Sequence, residues 1–393
     1  MHKTKLAIIG ASYLQLPLVE KANNLGIETH VFAWEKGADA KDIAHVFYPV
    51  SILEKELILE NCKELKIDGI TSIGSDIAMP TVNYVATKLG LVGNSLESTK
   101  ISTDKYDMRK ALSEKAIPCP RFEFYDSAVF HNKEQLKFPL IVKPTDRSGS
   151  RGVTKVNTEK ETNLAITKAL ENSINKRVIV EEFIKSEREF SVEFISFKGK
   201  HYPLAITDKV KTRVPYFVEL EHHQPAKINE TAKVKIFKTV ADILNALSIE
   251  NGASHTEVFL LDNGAISVVE CAGRMGGDFI GSSMVQLSTG FDYMKAVIDV
   301  ALNQFEYENY IDSPVNKYSG VYYVAPKPGK IISITDHSKK YNDIVYCKPL
   351  MNIGEYIDNT IDGSDKRAGV IVYSSSVTRP IKNLLEVLEI KTE

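Results

Sequence analysis

The sequence predicts an α/β (α+β) protein that opens on a Rossmann-like, doubly wound parallel sheet and closes on a β-rich segment. Three observations carry this expectation. Lys5-Leu-Ala-Ile-Ile9, Gly10, a helical stretch ending near Gly26 and Glu28-Thr-His-Val-Phe-Ala33 form a βαβ pattern. The alternation recurs in a helix around Leu53 to Leu65, the strand Gly69-Ile-Thr-Ser-Ile73 and the turn Gly74-Ser75-Asp76, so that strand C-termini border a crevice. After a last helix, Phe291 to Leu302, strand-like segments run from Tyr318 to Tyr373.

The middle of the chain follows in order. Ser102 or Thr103 is positioned to cap a helix through Lys105, Arg109 and Leu112 to Lys115, and Ile117-Pro-Cys-Pro120 stops it because proline cannot continue a helix. Next come the strand Pro139 to Lys143, a glycine-bearing loop, the helix Glu159 to Asn172 and the strand Arg177 to Ile184. An alternating strand, Glu189 to Phe197, turns at Lys198-Gly199, and a long helix, Glu230 to Leu247, precedes a hairpin.

At 393 residues the chain has room for two or three domains of about 150 residues. Lys and Arg number 49 against 51 Asp and Glu, a net charge of −2, which leaves no global basic field for nucleic acid or an anionic membrane. No apolar run approaches the roughly 18 residues of a membrane span, and Met1 to Lys5 leads directly into a strand, so a cytoplasmic protein is expected. Cys62, Cys119, Cys271 and Cys347 lie far apart, which argues against a disulfide scaffold or structural zinc. The turn Gly10-Ala-Ser-Tyr-Leu-Gln15 has one glycine where a dinucleotide fingerprint needs three, and Glu35 reads as a solvated loop residue, so no nicotinamide site is assigned.

The sharpest chemical signal is the hairpin Thr256 to Glu270. With Asn263-Gly264 as a two-residue turn, counting outward pairs Asp262 with Ala265, Leu261 with Ile266 and finally Glu257 with Glu270. Opposed like charges cost a few tenths to about 1 kcal/mol, so the pair asks for a divalent cation, a shared proton or a basic partner, unless both side chains splay into water. Alternation puts Glu270, Ala272 and Arg274 on one face, and Gly276-Gly277-Asp278 allows close backbone approach to a ligand. A second cluster, Lys143-Pro-Thr-Asp-Arg-Ser-Gly-Ser-Arg-Gly152, sets a lysine at a strand end before a loop able to cradle phosphates. A third is Val180-Glu-Glu-Phe-Ile184, followed by Glu189, Ser191 and Glu193 on one strand face.

In order and spacing these motifs resemble the ATP-grasp superfamily of carboxylate–amine ligases, which includes biotin carboxylase, carbamoyl phosphate synthetase, purine-pathway ligases and bacterial L-amino acid ligases. The likeness is greatest to the L-amino acid ligase and carbamoyl phosphate synthetase-like members. It spans essentially the whole chain and implies three parts: a domain over 1–100, an ATP-grasp domain over 101–310 with a small lid over about 120–185, and a β-rich domain over 311–393. The resemblance implies that Lys105 and Lys143 contact ATP phosphates and that Ser148, Gly149, Ser150 and Gly152 belong to a loop closing over them. It further implies that Glu181, Glu182, Phe183 and Ile184 read adenine, with Glu181 accepting from the exocyclic amine, and that Glu189 holds ribose. Glu257 and Glu270 would coordinate Mg²⁺ (or Mn²⁺), and Arg274 would stabilise the carboxylate and its phosphorylated form. Ala272 departs from the asparagine many members carry there, which leaves a second ion to Asp278 or absent. Between the nucleotide strands and the long helix, Arg213 is a candidate to hold a substrate carboxylate, and His222 or His223 to accept an amine proton. The implied activity is ATP-dependent ligation of small-molecule carboxylate and amine substrates through an acyl phosphate. The alternatives are a bicarbonate-using carboxylase or carbamoyl-forming enzyme and a non-catalytic ATP-binding sensor. A homodimer is left open.

Overall fold

The computed structural model describes residues 3–149, 151–186, 188–212, 217–310, 317–358, 361 and 363–393. The chain begins with β1 (Lys5–Ile9), α1 (Leu16–Asn24), β2 (Glu28–Phe32), β3 (Val46–Tyr48), α2 (Lys55–Leu65), β4 (Gly69–Thr71) and α3 (Met79–Leu89). Its strands form a parallel sheet in the order β3-β2-β1-β4. Leu6 to Ile9 are all buried, as expected of a parallel strand covered on both faces, which reads as a continuous apolar run. The loops after β1 and β4 are tied together at their C-terminal ends: Gln15 Nε2 donates to the Ile73 carbonyl at 2.6 Å. Glu35 lies exposed and pairs with Lys41, the solvated position expected of it.

Two short helices follow, α4 (Leu96–Thr103) and α5 (Lys105–Glu114). The capping residue of α5 corrects the expectation. Ser102 and Thr103 sit in the last turn of α4 and donate back to the Thr99 carbonyl. Asp104 instead takes an extended backbone and accepts from the Tyr106 and Asp107 N–H groups. The aspartate also receives Arg177 at 2.8 Å, which ties α5 to the next subdomain.

That subdomain comprises β5 (Phe122–Tyr125), β6 (Leu140–Pro144), β7 (Thr154–Val156), α6 (Glu159–Asn172) and β8 (Val178–Glu182). Its sheet is antiparallel in the order β5-β8-β6-β7. The body contains β9 (Glu189–Phe197), β10 (Lys200–Lys211), β11 (Glu219–Gln224), α7 (Glu230–Ala246), β12 (Gly252–Leu260), β13 (Ile266–Ala272), α8 (Val285–Thr289) and α9 (Tyr293–Ala301). Lys198 and Gly199 both take positive φ, giving the tight two-residue β9–β10 turn that their types favour.

The last part holds β14 (Tyr318–Val324), β15 (Gly329–Asp336), β16 (Ile344–Pro349), β17 (Tyr356–Ile357), β18 (Gly369–Ser375) and β19 (Leu388–Thr392). Body strands and three of these form one antiparallel sheet, β13-β12-β9-β10-β11-β14-β18-β16. The C-terminal strands therefore extend the body sheet by direct pairing of β11 with β14, while β17-β15-β19 forms a separate small sheet. The core that joins the parts is apolar: α9 packs its buried Ala296, Val297 and Val300 with β1 and β9 residues such as Ile8 and Ile195. Among the described residues no helix is long and apolar enough to cross a membrane.

Candidate active site

One cavity of about 400 Å³ lies where all four parts meet, lined by Lys143 and Glu181 to Ile184 from the β5–β8 subdomain and its exit, Glu257 and Glu270 from the body, Asp76 from the first sheet and Arg367 from the C-terminal segment. Its floor is the β13-β12-β9-β10-β11 part of the long sheet.

Glu257 and Glu270 face each other across β12 and β13, the pairing expected from the sequence, but the path to it differs. Leu261 donates to the Ala265 carbonyl and Gly264 to Leu261, so the loop has three residues, with Gly264 at φ +74°. This shifts the near pairs by one, to Leu260 with Ile266 and Val258 with Val268. A bulge between Glu257 and Val258 takes up the extra residue, Val269, and restores the Glu257–Glu270 pair. The bulge also turns both Val269 and Glu270 to the cavity, whereas Val268 and Cys271 enter the core.

Each carboxylate already carries an ammonium. Lys105, the first residue of α5, bridges Glu270 and the Arg147 carbonyl, both at 2.7 Å. Burial lowers the Lys105 pKa, but Glu270 outweighs it and holds the ammonium above its ordinary value. Lys209 on β10 is buried against Glu257, with Glu189 at 3.0 Å and Glu219 at 3.4 Å. Burial again works against the charge, and the three acids overcome it, holding Lys209 well above the usual lysine range. Burial likewise raises Glu257, yet Lys209 and the neighbouring His255 bring it well below the usual carboxylate range. Lys211 joins Glu189 at 2.5 Å.

On the side of the β5–β8 subdomain Glu181 is engaged through both oxygens, to Arg109 Nε at 2.7 Å and Lys143 Nζ at 2.6 Å. Its carboxylate thus fixes the lysine in place. Burial, with Arg109 and Lys105 nearby, lowers the Lys143 pKa in spite of Glu181. Arg109 Nη1 is buried with no hydrogen-bond partner among the described residues. Ser148 and Gly149 border the cavity, and Gly149 takes φ +69° with its Cα turned toward Ser364. Gly152 does not line it: at φ +74° it turns the chain into β7 against Pro144.

The remaining wall is built from arginine–aspartate pairs. Arg274 donates to Asp76 through Nε at 2.7 Å and Nη2 at 2.8 Å, joining the loop after β4 to the body. Arg367 grips Asp278 at 2.7 and 3.0 Å and lies over the Tyr323 ring at 3.6 Å. Burial raises Asp278, but Arg367 and His222 drive it far below the usual carboxylate range. Asp278 is therefore the counter-ion of Arg367. Strand alternation separates the two histidines on β11. His222 lines the cavity, with Nε2 3.4 Å from Asp278 and Nδ1 without a hydrogen-bond partner among the described residues. His223 points to the other face, between Tyr373 at 2.9 Å and Glu221 at 2.7 Å, and is removed from the candidates because it cannot reach the cavity.

The cavity thus gathers Lys105, Lys143, Ser148, Gly149, Glu181, Glu182, Phe183, Ile184, Glu189, His222, Glu257, Glu270 and Arg274. Ser150 and Arg213 lie outside the described residues. Sequence reasoning did not single out Asp76, Arg109, Glu219 or Arg367. Lys209 and Lys211 did carry a signal, a period-two alternation opposite the acids of β9. Among the described residues no group of three or more His, Cys, Asp or Glu side chains is arranged to hold a metal alone.

Residues 136–282 match the family model of the ATP-grasp domain. Alanine--anticapsin ligase of Bacillus subtilis (strain 168) is 28% identical over 309 residues, 68% of this chain and 64% of the relative. The chain therefore spans less than two thirds of that relative's length. A formate-dependent phosphoribosylglycinamide formyltransferase of Sulfurisphaera tokodaii is 27% identical over 57% of this chain and 55% of its own. The crystal structure of L-amino acid ligase from Bacillus licheniformis matches with a TM-score of 0.85 at 24% identity, and that of phosphoribosylglycinamide synthetase from Anaerococcus prevotii with 0.79 at 21%, each over 100% of both chains. These structural likenesses establish the fold.

Proposed function

We propose that this chain, whose residues 136–282 match the ATP-grasp domain, is an ATP-dependent ligase that joins a small carboxylate to an amine. The observation that carries the reading is the opposed pair Glu257 and Glu270, set by a bulge at the cavity and ringed by Lys105, Lys143, Lys209 and Arg274. Opposed acids inside a cationic ring suit phosphoryl transfer, in which positioning and charge stabilisation supply most of the rate.

The residues fit the groups such a reaction needs. Two carboxylates are too few to hold Mg²⁺ alone, but Mg²⁺ is commonly held by one or two carboxylates together with substrate phosphates. Metal uptake at Glu257 and Glu270 is then expected only together with nucleotide. When bound, Mg²⁺ (or Mn²⁺) would supply positive charge against the phosphates. Lys105 and Lys143 are placed to meet phosphate oxygens, with Ser148 and Gly149 on the same side, and the unpartnered Arg109 Nη1 offers one further donor. Glu182 to Ile184 would border the base and Glu189 the ribose.

In the first step a carboxylate oxygen bonds to the γ-phosphorus of ATP as the bond to the bridging oxygen breaks, giving an acyl phosphate and ADP. Carboxylate activation is required because oxide is a poor leaving group. Arg274, held by Asp76, faces the carboxylate and its developing charge. In the second step the amine nitrogen bonds to the acyl carbon, the carbon–oxygen bond to phosphate breaks, and the amine proton passes to a base, for which His222 is the candidate in the cavity. Because the Bacillus relatives are named for joining alanine to anticapsin, amino acids are the first substrates to test.

The experiment is an ADP-release screen of single and paired amino acids, with bicarbonate in a separate arm. Release should require both a carboxylate and an amine and should fall at least about 10²-fold in Glu270→Gln and in Lys143→Ala. Native rates in both variants would overturn the assignment, and release with bicarbonate and no amino acid would move it to a carboxylating reaction.

A further inference from the structure

Glu193, in the middle of β9 beneath the cavity, has no exposed surface, and a carboxylate so placed must be paired. One oxygen bonds Nδ1 of His255, its cross-strand partner on β12. The same ring extends Nε2 toward Glu257 at 3.4 Å. The other Glu193 oxygen accepts the Gly276 N–H at 3.2 Å. Gly276 lies in the loop between Arg274 and Asp278, and its lack of a side chain is what permits the contact. A Cβ there would sit 2.7 Å from His255 Nδ1 and 3.0 and 3.1 Å from the Glu193 oxygens.

We propose that Glu193 is a positioning residue that sets the metal-binding carboxylate Glu257, through His255, and the Arg274–Asp278 loop, through the Gly276 N–H, into one mutual geometry. The inference rests on the ligase reading above. Without Glu193 the two ends belong to separate pieces of chain: Glu257 to β12, the loop to the segment after β13. Glu193 fixes the His255 ring from below, and that ring then limits where the Glu257 carboxylate can swing. Partners of this kind behind a metal ligand typically change metal affinity 10- to 100-fold when removed.

The test uses the full chain with Mn²⁺ and ADP as probes. Free Mn²⁺ is read by electron paramagnetic resonance at saturating ADP, and ADP binding in EDTA by calorimetry. His255→Asn keeps an N–H near Nδ1 for Glu193 and removes the reach to Glu257, whereas His255→Gln does the reverse. Glu193→Gln keeps the shape and removes the charge. Each is expected to raise the apparent Mn²⁺ Kd by roughly 10-fold or more, with ADP affinity in EDTA within about twofold of native. If Glu193→Gln fails to fold, His255→Asn, which leaves Glu193 paired, decides. Native Mn²⁺ affinity in folded variants, with only a lowered Tm, overturns the inference and leaves the ligase reading standing. Failure of the native protein to take up Mn²⁺ with ADP overturns both.

Discussion

The cavity is held by two kinds of cation–carboxylate contact, and they come from different parts of the molecule. Helix α5, the β5–β8 subdomain and the body contribute ammoniums, Lys105 on Glu270, Lys143 beside Arg109 on Glu181, and Lys209 among Glu189, Glu219 and Glu257. At the cavity, the N-terminal and C-terminal segments meet the body through guanidinium forks, Arg274 on Asp76 and Arg367 on Asp278. An ammonium is a compact point charge that a metal ion can replace at a carboxylate or that can move to a phosphate. A guanidinium with two parallel bonds fixes orientation as well as charge. The first region is thus built for exchange of partners and the second as a frame.

The largest effect should come from Lys209→Met, which strips three acids of a shared counter-ion. The metal-free protein should lose about 3–5 kcal/mol in urea unfolding, and Mg²⁺ with ADP should restore more Tm in the variant than it adds to the native protein. Arg367→Ala should cost about 3 kcal/mol, the low end of that range, because Asp278 is 24% exposed. Here no selective recovery with Mg²⁺ and ADP is expected, and equal recovery in both variants would break the comparison. Arg274→Lys keeps the charge and loses the fork. It should lower kcat/KM for the carboxylate about 10²-fold, about 2.7 kcal/mol, while KM for ATP stays within about twofold in steady-state kinetics.

The smallest effect concerns His223, outside the cavity. Burial lowers its pKa from 6.5 in spite of the Glu221 contact, so the folded protein holds it neutral where the unfolded chain would protonate. Its contribution is present above pH 6.5 and is lost as pH falls through the lowered folded value. Chemical denaturation across acid pH should therefore show less stability loss in His223→Gln than in the native protein, and identical profiles would remove the histidine from the account.

The site was partly legible in the sequence, and the hairpin shows on what terms. The opposed pair Glu257 and Glu270 was reached by counting from a two-residue turn. In fact the loop has three residues, and a bulge at Val269 cancels the difference. Turn residues report local backbone preference, but a bulge is set by how the sheet must curve over its core. Asp104 displaced Ser102 and Thr103 as a cap for a similar reason: all three residue types can cap, and Asp104 is the one that also meets Arg177, 73 positions along the chain. His222 and His223 could not be ranked before β11 was placed, since alternation says only that they face opposite ways.

By itself, the sequence determined the kind and order of most elements and the acids and lysines concentrated at strand ends. These follow from periodicity, capping and turn chemistry, which act within a few residues of chain. Tertiary structure alone decided which charges meet. Asp76 finds Arg274 across 198 positions, Arg367 finds Asp278 from beyond the body sheet, and Lys209 collects acids from three strands. Such partners are set by long-range packing, where burying a charge is tolerable only beside its opposite, and no local pattern records which one will be there.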